Sequence, residues 1–405
     1  MANSVLPEEL MLCILTRLPV KTIIRFKSVC KPWYDLFSTP EFKKMHQAQF
    51  SSDPKNESVI VHRYTLYCSE PKNQFSIFNT DESAEKRPTI LDHHPFDHAQ
   101  EIDLYTAGCC NGLVCIHGGH EFALWNPAMK LSKTVPLKGY RHLKNVELGF
   151  GYDAIGDDFK VVMIATNVHG EGKTVEIYSV NLDSWITIDV GFEFRDFEAR
   201  SYLIINGNPY WVAWVDENKV LLCFDVLDLV LKIVPLPMHY WNGWNGETVR
   251  RVDLNGLDVY IKTEKKAKFD LVDWNGALGV LITNLEFEHR SGPAAGTECS
   301  SSRIDCVQLW VFDDIGQIWR KIRTFGPIEV NVDGVLLYRK NEKIMGIFLH
   351  EKVFVVDLET GCVKELFDRA HVGDFFDLYG YTESLAHING MQKVVVTYER
   401  NNLYD

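Results

Sequence analysis

The hydrophobic pattern of this 405-residue chain changes character near residue 50. In the first stretch Leu10, Met11, Ile14, Leu15 and Leu18 fall at i, i+1, i+4, i+5 and i+8, the stripe of an amphipathic helix. Pro7, Glu8 and Glu9 mark its start, because proline is tolerated in a first turn and acids complement the positive end of the helix dipole. Pro19 ends it. Val20, Ile23, Ile24 and Phe26 form a second apolar set that runs on to Val29 and Cys30. Pro32 opens a third short helix, whose Trp33, Leu36 and Phe37 repeat the i, i+3, i+4 spacing, and Pro40 closes it. Three helices in about forty residues bury little surface, so the pattern predicts a small module that gains by docking onto something else. A helical cap on a larger domain fits the same pattern.

Residues 51–100 are polar, with Pro54, Pro71, Pro88 and Pro95 and short apolar runs such as Val59-Ile60-Val61. The stretch 47–100 reads as a linker and an irregular first β unit. From 101 to 405 short apolar runs alternate with Gly, Asn, Asp and Pro, and the reading is a large all-β domain. Within it Leu124-Trp125-Asn126, Ile177-Tyr178-Ser179, Cys223-Phe224-Asp225, Val311-Phe312-Asp313 and Val355-Val356-Asp357 each end apolar residues on a small polar one. A polar turn and a second apolar segment follow each. The polar anchors are 53, 46, 88 and 44 residues apart, and 88 is close to two periods, which places an unmatched unit near Phe269-Asp270. A period of about 44 is that of propeller blades, and six to eight blades fit the length. A double β-sandwich competes. Asn111-Gly112, Asn206-Gly207, Asn255-Gly256 and Asn275-Gly276 are hairpin turns, because Asn-Gly supplies the positive φ that a two-residue loop needs.

The run LPEELMLCILTRLPVKTIIRFKSVCKPWYDLFSTPEF closely resembles an F-box, with the LPxEL opening, the RLPVK turn, the RFKxVCKxW stretch and the trailing PxF in order. The resemblance implies docking on the small S-phase-kinase-associated adaptor of an SCF ubiquitin ligase, and through it on cullin and RING subunits. Carried over by position, Leu6, Pro7, Leu10, Ile14, Leu15, Leu18, Pro19, Val20, Lys21, Arg25, Val29, Cys30 and Trp33 form or support that docking surface, some of them as core. LGFGYDAIGDDFKVV, VEIYSVNLDSW, VQLWVFDDIGQIWRKI and YTESL resemble the F-box-associated interaction domain of plant F-box proteins, a kelch-like repeat domain, from about Cys110 to Leu385. They are also similar to the S-locus F-box group, which recognises pistil ribonucleases. The implied organisation is an F-box of three helices over 1–46, then the linker and first β unit, then a six- to eight-bladed β-propeller that binds a target protein for ubiquitination. Such a chain is a receptor subunit and not an enzyme: the ubiquitin-carrying enzyme supplies the thioester.

Charge sharpens this organisation. The chain carries a net −13, yet residues 1–50 hold seven basic residues against four acidic ones, net +3, leaving −16 for the rest. A basic end suits an acidic partner, an acidic body suits a basic target, and the sum argues against nucleic acid. Nothing in the first residues resembles a secretory leader, and the longest apolar stretch, Val220–Leu236, is broken by Asp225, Asp228 and Lys232. The expectation is a protein of the cytoplasm or nucleus, off the membrane, with reduced thiols.

Candidate chemistry changes little. Gly149-Phe150-Gly151 imitates a dinucleotide fingerprint, but a turn and a strand follow where a helix is required. Cys109, Cys110, Cys115, His117 and His120 lie close together without the spacing of a zinc site, and the Asn-Gly hairpin accounts for them. No cofactor or metal is expected. Tyr240, Trp241 and Trp244 sit in a Gly- and Asn-rich loop as candidate target-binding residues, open equally to packing between blades. Tyr210-Trp211-Val212-Ala213-Trp214 reads as core. The alternative function is a glycan-binding or enzymatic propeller with a helical cap.

Overall fold

Among the described residues the N-terminal module has four helices, not three. A computed structural model describes residues 7–65, 72–79, 89–91, 94–96, 104–168, 172–237, 245–252, 258–292, 295–325, 337–339, 343–347, 353–357, 359–367 and 374–394. In it α1 (Glu8–Leu15), α2 (Val20–Phe26) and α3 (Lys31–Leu36) follow the expected stripes. Pro40, expected to close α3, opens α4 (Pro40–Ser52). A proline at the first helical position loses no hydrogen bond, and Thr39 Oγ1 accepts the Phe42 N–H at 3.2 Å as an N-cap. Phe42, His46 and Phe50, at i, i+4 and i+8, are the buried face of α4.

After the helices the described residues form six sheets, each a meander in which a strand pairs with the next along the chain. The first joins Glu57–Thr65, Lys72–Asn79 and Thr89–Ile90 to the late strand Asp374–Thr382, with Ile60 opposite both Ile77 and Tyr379. The second is Tyr105–Cys110, Leu113–Gly118, Glu121–Asn126 and Leu131–Pro136, extended by Gln392–Lys393. The third is Leu143–Asp153, Asp158–Asn167, Lys173–Ser179 and Ser184–Ile188, and the fourth Arg195–Ile205, Asn208–Val215, Asn218–Asp225 and Val230–Pro235. The fifth is Asn245–Val252, Asp258–Trp274, Ala277–Gly292, Ala295–Asp313 and Ile318–Phe325; the sixth is Leu337–Arg339, Lys343–Ile347, Val353–Asp357 and Val363–Phe367. Five blade-like sheets thus start at or after residue 105 and one joins the two ends of the β region, so six to eight is an approximate count.

The repeat anchors have a structural meaning. Asn126, Ser179, Asp225, Asp313 and Asp357 each end the penultimate strand of the meander in their sheet. Each side chain accepts turn N–H groups: Asn126 from Met129, Ser179 from Leu182, Asp225 from Leu227 and Asp228, Asp313 from Ile315 and Gly316, Asp357 from Glu359 and Thr360. Four residues beyond each anchor the backbone is left-handed, at Lys130, Asp183, Leu229, Gln317 and Gly361. The second carboxylate oxygen of Asp225 meets Lys232 at 2.7 Å, and that of Asp313 meets Arg320 at 2.9 Å. The sequence period is the recurrence of one capped turn.

The 88-residue interval is not two periods. Phe269 and Asp270 lie inside the strand Asp258–Trp274, paired with Ile282 and Leu281 of the same fifth sheet. Strands of 17, 16 and 19 residues fill the interval.

The chain divides into two compact units. One comprises residues 1–218, 222–233 and 373–405, with the helices and the first four sheets; the other comprises 219–221 and 234–372, with the fifth and sixth. In the first unit Trp125 and Trp211 are fully buried, the latter as expected. The glycines of the false fingerprint serve packing. A Cβ at Gly149 would stand 2.2 Å from the Trp211 ring and one at Gly151 2.4 Å from the Gly207 carbonyl; Gly207 itself, at φ +81°, would put a Cβ 2.1 Å from the Tyr152 carbonyl. That approach is made through the Tyr152 N–H, which donates to the Gly207 carbonyl at 3.0 Å. Asn111-Gly112, Asn206-Gly207 and Asn275-Gly276 have positive φ at both residues, as hairpin turns require; Asn255-Gly256 lies outside the described residues.

Candidate docking surface

Helices this short have more apolar side chains than their shared core can hold. The core takes Leu15, Val20, Ile23, Phe37 and Phe42, with Leu18, Phe26, Trp33 and Leu36 packed against it. Trp33 lies 5.1 Å from the Phe26 ring and 5.8 Å from Phe37, centroid to centroid. What remains faces water: Leu10 is 53% exposed, Ile14 52%, Val29 63% and Tyr34 56%.

The thirteen residues expected to serve docking therefore divide. Pro7, Leu10, Ile14, Pro19, Lys21, Arg25, Val29 and Cys30 are exposed; Leu18 and Trp33 are half-buried; Leu15 and Val20 are core; Leu6 lies outside the described residues. Ile24 and Tyr34 are exposed too and stand outside the expected set. Their signal was available in part, since Ile24 belongs to an apolar run longer than one helix face can bury. Arg17, Lys21, Arg25 and Lys31 are exposed among these apolar groups. Arg17 Nη1 donates to the Cys13 carbonyl at 2.6 Å, while Lys21 and Arg25 stand at the first and last turns of α2. Exposed apolar side chains on a module rich in cations suit a protein partner with an acidic surface.

α4 carries the module's other polar features. His46 Nε2 donates to the Leu18 carbonyl at 2.8 Å, and the ring stacks on Phe50 at 5.2 Å. Burial holds the imidazole below its ordinary pKa, against the opposing pull of the Leu18 carbonyl. Beyond α4 a cavity of about 360 Å³ is lined by Lys43, Lys44, Gln47, Tyr152, Asp157 and His387, among others. Lys44 meets Asp157 at 2.8 Å, and with the Tyr152 hydroxyl it keeps that carboxyl below the usual carboxylate range. The carboxylate is thus already engaged. Cys115 is buried and Cys109 and Cys110 are half-buried; burial pushes the Cys110 thiol up to about 12, which disfavours its reactive thiolate form. Among the described residues no group of three or more His, Cys, Asp or Glu is placed to hold a metal ion, and no helix is long and apolar enough to cross a membrane. Tyr240, Trp241 and Trp244 lie outside the described residues.

Two family models match the chain: the F-box domain over residues 4–45, and the F-box associated beta propeller domain over residues 63–335. The chain belongs to the F-box proteins with an associated β-propeller. Relatives of this F-box protein occur in Arabidopsis thaliana. A putative F-box protein is 27% identical over 240 residues, covering 58% of this chain and 62% of the relative. An F-box/kelch-repeat protein is 29% identical over 251 residues, covering 58% and 66%. The chain thus spans less than two thirds of the length of these relatives. Among solved structures a Mycobacterium tuberculosis puromycin-hydrolyzing peptidase aligns with a TM-score of 0.33 at 12% identity, covering 77% of this chain and 54% of that one; at that distance it supports no argument.

Proposed function

We propose that this F-box protein is the substrate-recognition subunit of an SCF-type cullin-RING ubiquitin ligase. The observation that carries the reading is the surface of the helical module. Leu10, Ile14, Val29 and Tyr34 are more than half exposed above a core that is already filled. Leaving four large apolar groups in water is unfavourable by roughly 1 kcal/mol or more each, and a partner that covers them recovers it. The S-phase-kinase-associated adaptor is that partner, approached through Lys21 and Arg25, and it links the chain to cullin and RING subunits.

The β domain then holds a target protein. The chain supplies no catalytic group; it raises the effective concentration of a target lysine near the charged ubiquitin-carrying enzyme. Its place of action is the cytoplasm or nucleus. The finer reading is the S-locus type, with pistil ribonucleases as targets. The −16 carried outside the first fifty residues favours a target with a basic face, so this binding should weaken as salt rises.

Co-expression with a plant adaptor, followed by size-exclusion chromatography with light scattering, tests the reading. A one-to-one complex is expected, and Leu10→Asp with Ile14→Asp should weaken it at least thirtyfold, the loss typical of central interface residues. Well-folded wild-type protein that forms no complex would overturn the proposal and put a glycan-binding screen next.

A further inference from the structure

The F-box core contains a residue from the far end of the chain. Leu385 is 1% exposed and packs with Leu15, Val20, Ile23, Phe37 and Phe42, while Ala128 and Met129 press on the same cluster. Two residues earlier, Glu383 lies beside the start of α2: burial raises its carboxyl pKa, and the nearby Val20 backbone and Lys21 oppose that shift. α2 begins after Pro19 and has no side-chain cap of its own, and the carboxylate that neighbours its first turn comes from a position more than 350 residues away in the chain.

The segment that delivers these two groups is itself held by buried polar contacts. Asn126, fully buried, donates through Nδ2 to the Ser384 carbonyl at 3.1 Å and the Ala386 carbonyl at 2.8 Å. Its Oδ1 accepts the Met129 N–H at 3.1 Å, so one amide fixes both the late segment and the turn that touches the helices. Ser384 Oγ donates to the Asn111 carbonyl at 2.6 Å and accepts the Ala386 N–H at 3.1 Å. Gly112 makes room: a Cβ there would stand 2.2 Å from Ser384 Oγ. Lys44 of α4 reaches Asp157 in the turn between two strands of the third sheet, lining one cavity with Ala386 and His387 of the late segment.

We infer that Glu383 and Leu385 are positioning residues of the F-box, completing its core and fixing its docking helices on the sheets that carry them. The module is therefore not a tethered bead. Its fold requires the late segment, and its docking face is presented at one set orientation to the four sheets of its own unit. Only the last readout below rests on the adaptor role.

Hydrogen exchange on the full-length chain tests this, comparing wild type, Leu385→Ala, Leu385→Met and Glu383→Ala. Leu385→Ala should speed amide exchange across α1 and α2 at least tenfold, leave the third and fourth sheets as in wild type, and be rescued by Leu385→Met. Should Leu385→Ala unfold the whole chain, Glu383→Ala decides, with faster exchange confined to the start of α2. Unchanged helix exchange in a folded Leu385→Ala protein, or in Glu383→Ala where that variant decides, overturns the inference. Adaptor affinity should fall at least fivefold in Leu385→Ala and recover in Leu385→Met. If wild type binds no adaptor, the ligase reading fails while the exchange result still stands.

Discussion

The helical module and the third sheet treat apolar residues in opposite ways. In the sheet, Val161, Val162, Met163, Ile164 and Ala165 are successive and all fully buried, both faces of the strand being covered. In the helices, Leu10 and Ile14 sit one turn apart on α1 and are both half in water, whereas their neighbour Leu15 is 4% exposed. Burial is the default for such side chains, so an exposed pair on a short helix calls for an explanation and an inward pair does not. The contrast teaches where function lies: in the surplus left after each core is filled, not in the most hydrophobic stretch.

The largest effect that would break the contrast is in the helical core. Phe42→Ala should cost about 3–5 kcal/mol, because a fully buried ring leaves a cavity that its neighbours cannot close. Leu10→Ala should change stability by less than about 0.5 kcal/mol while weakening adaptor binding. Denaturant titration of both variants, beside adaptor titration, checks the pair. Equal stability losses would mean that α1 has no true outward face.

Next comes the close approach of the Asn206-Gly207 turn to the strand that carries Tyr152. Gly207→Ala would combine a left-handed backbone with a 2.1 Å clash against the Tyr152 carbonyl, which is main chain and cannot rotate away. A loss of about 2 kcal/mol or more is expected, read as a lower thermal midpoint. Gly139, also left-handed but with open space around it, should lose less than half as much when changed to Ala.

His46 adds a pH dependence to the helical module. Its Nδ1 is buried without a partner among the described residues, so a second proton would have no acceptor between Phe42 and Phe50. Its folded pKa is lowered, so the stability it contributes is complete above the ordinary value of 6.5 and is lost as pH falls below it. The protection of α4 amides, corrected for the pH dependence of intrinsic exchange, should therefore fall between pH 7 and about 5.5, and His46→Gln should flatten that slope. A slope unchanged by the substitution would place the sensitivity elsewhere, with His387 as the first alternative, since its pKa is lowered as well.

Legibility follows from the range of the interaction. The capped turns were readable because anchor, turn and left-handed residue lie within five positions, so composition alone repeats them. α4 was not, because a proline signals a helix start as well as a helix end and only Thr39 before it decides. The fifth sheet was misread because strand length, set by tertiary pairing, can fill a period without a turn. The split of the docking residues into Leu15 and Val20 inside, Leu10 and Ile14 outside, needed the packing of four helices. Asn126 and Ser384, 258 residues apart, leave no local trace at all.

The smallest effect tests the capped turn itself. Asp225 accepts two turn N–H groups and an ion pair from Lys232, so Asp225→Ala should cost about 1 kcal/mol, most of it from the lost hydrogen bonds because the pair is partly solvated. Leu229 in the same turn has φ +55°, a conformation that costs a branched residue about 1 kcal/mol. Leu229→Gly removes that strain and returns part of it as chain entropy in the unfolded state, leaving a net gain of about 0.5 kcal/mol. Chemical denaturation of the two variants should thus shift the midpoint in opposite directions. A shift of the same sign in both would mean that the left-handed residue is held by something other than its anchor.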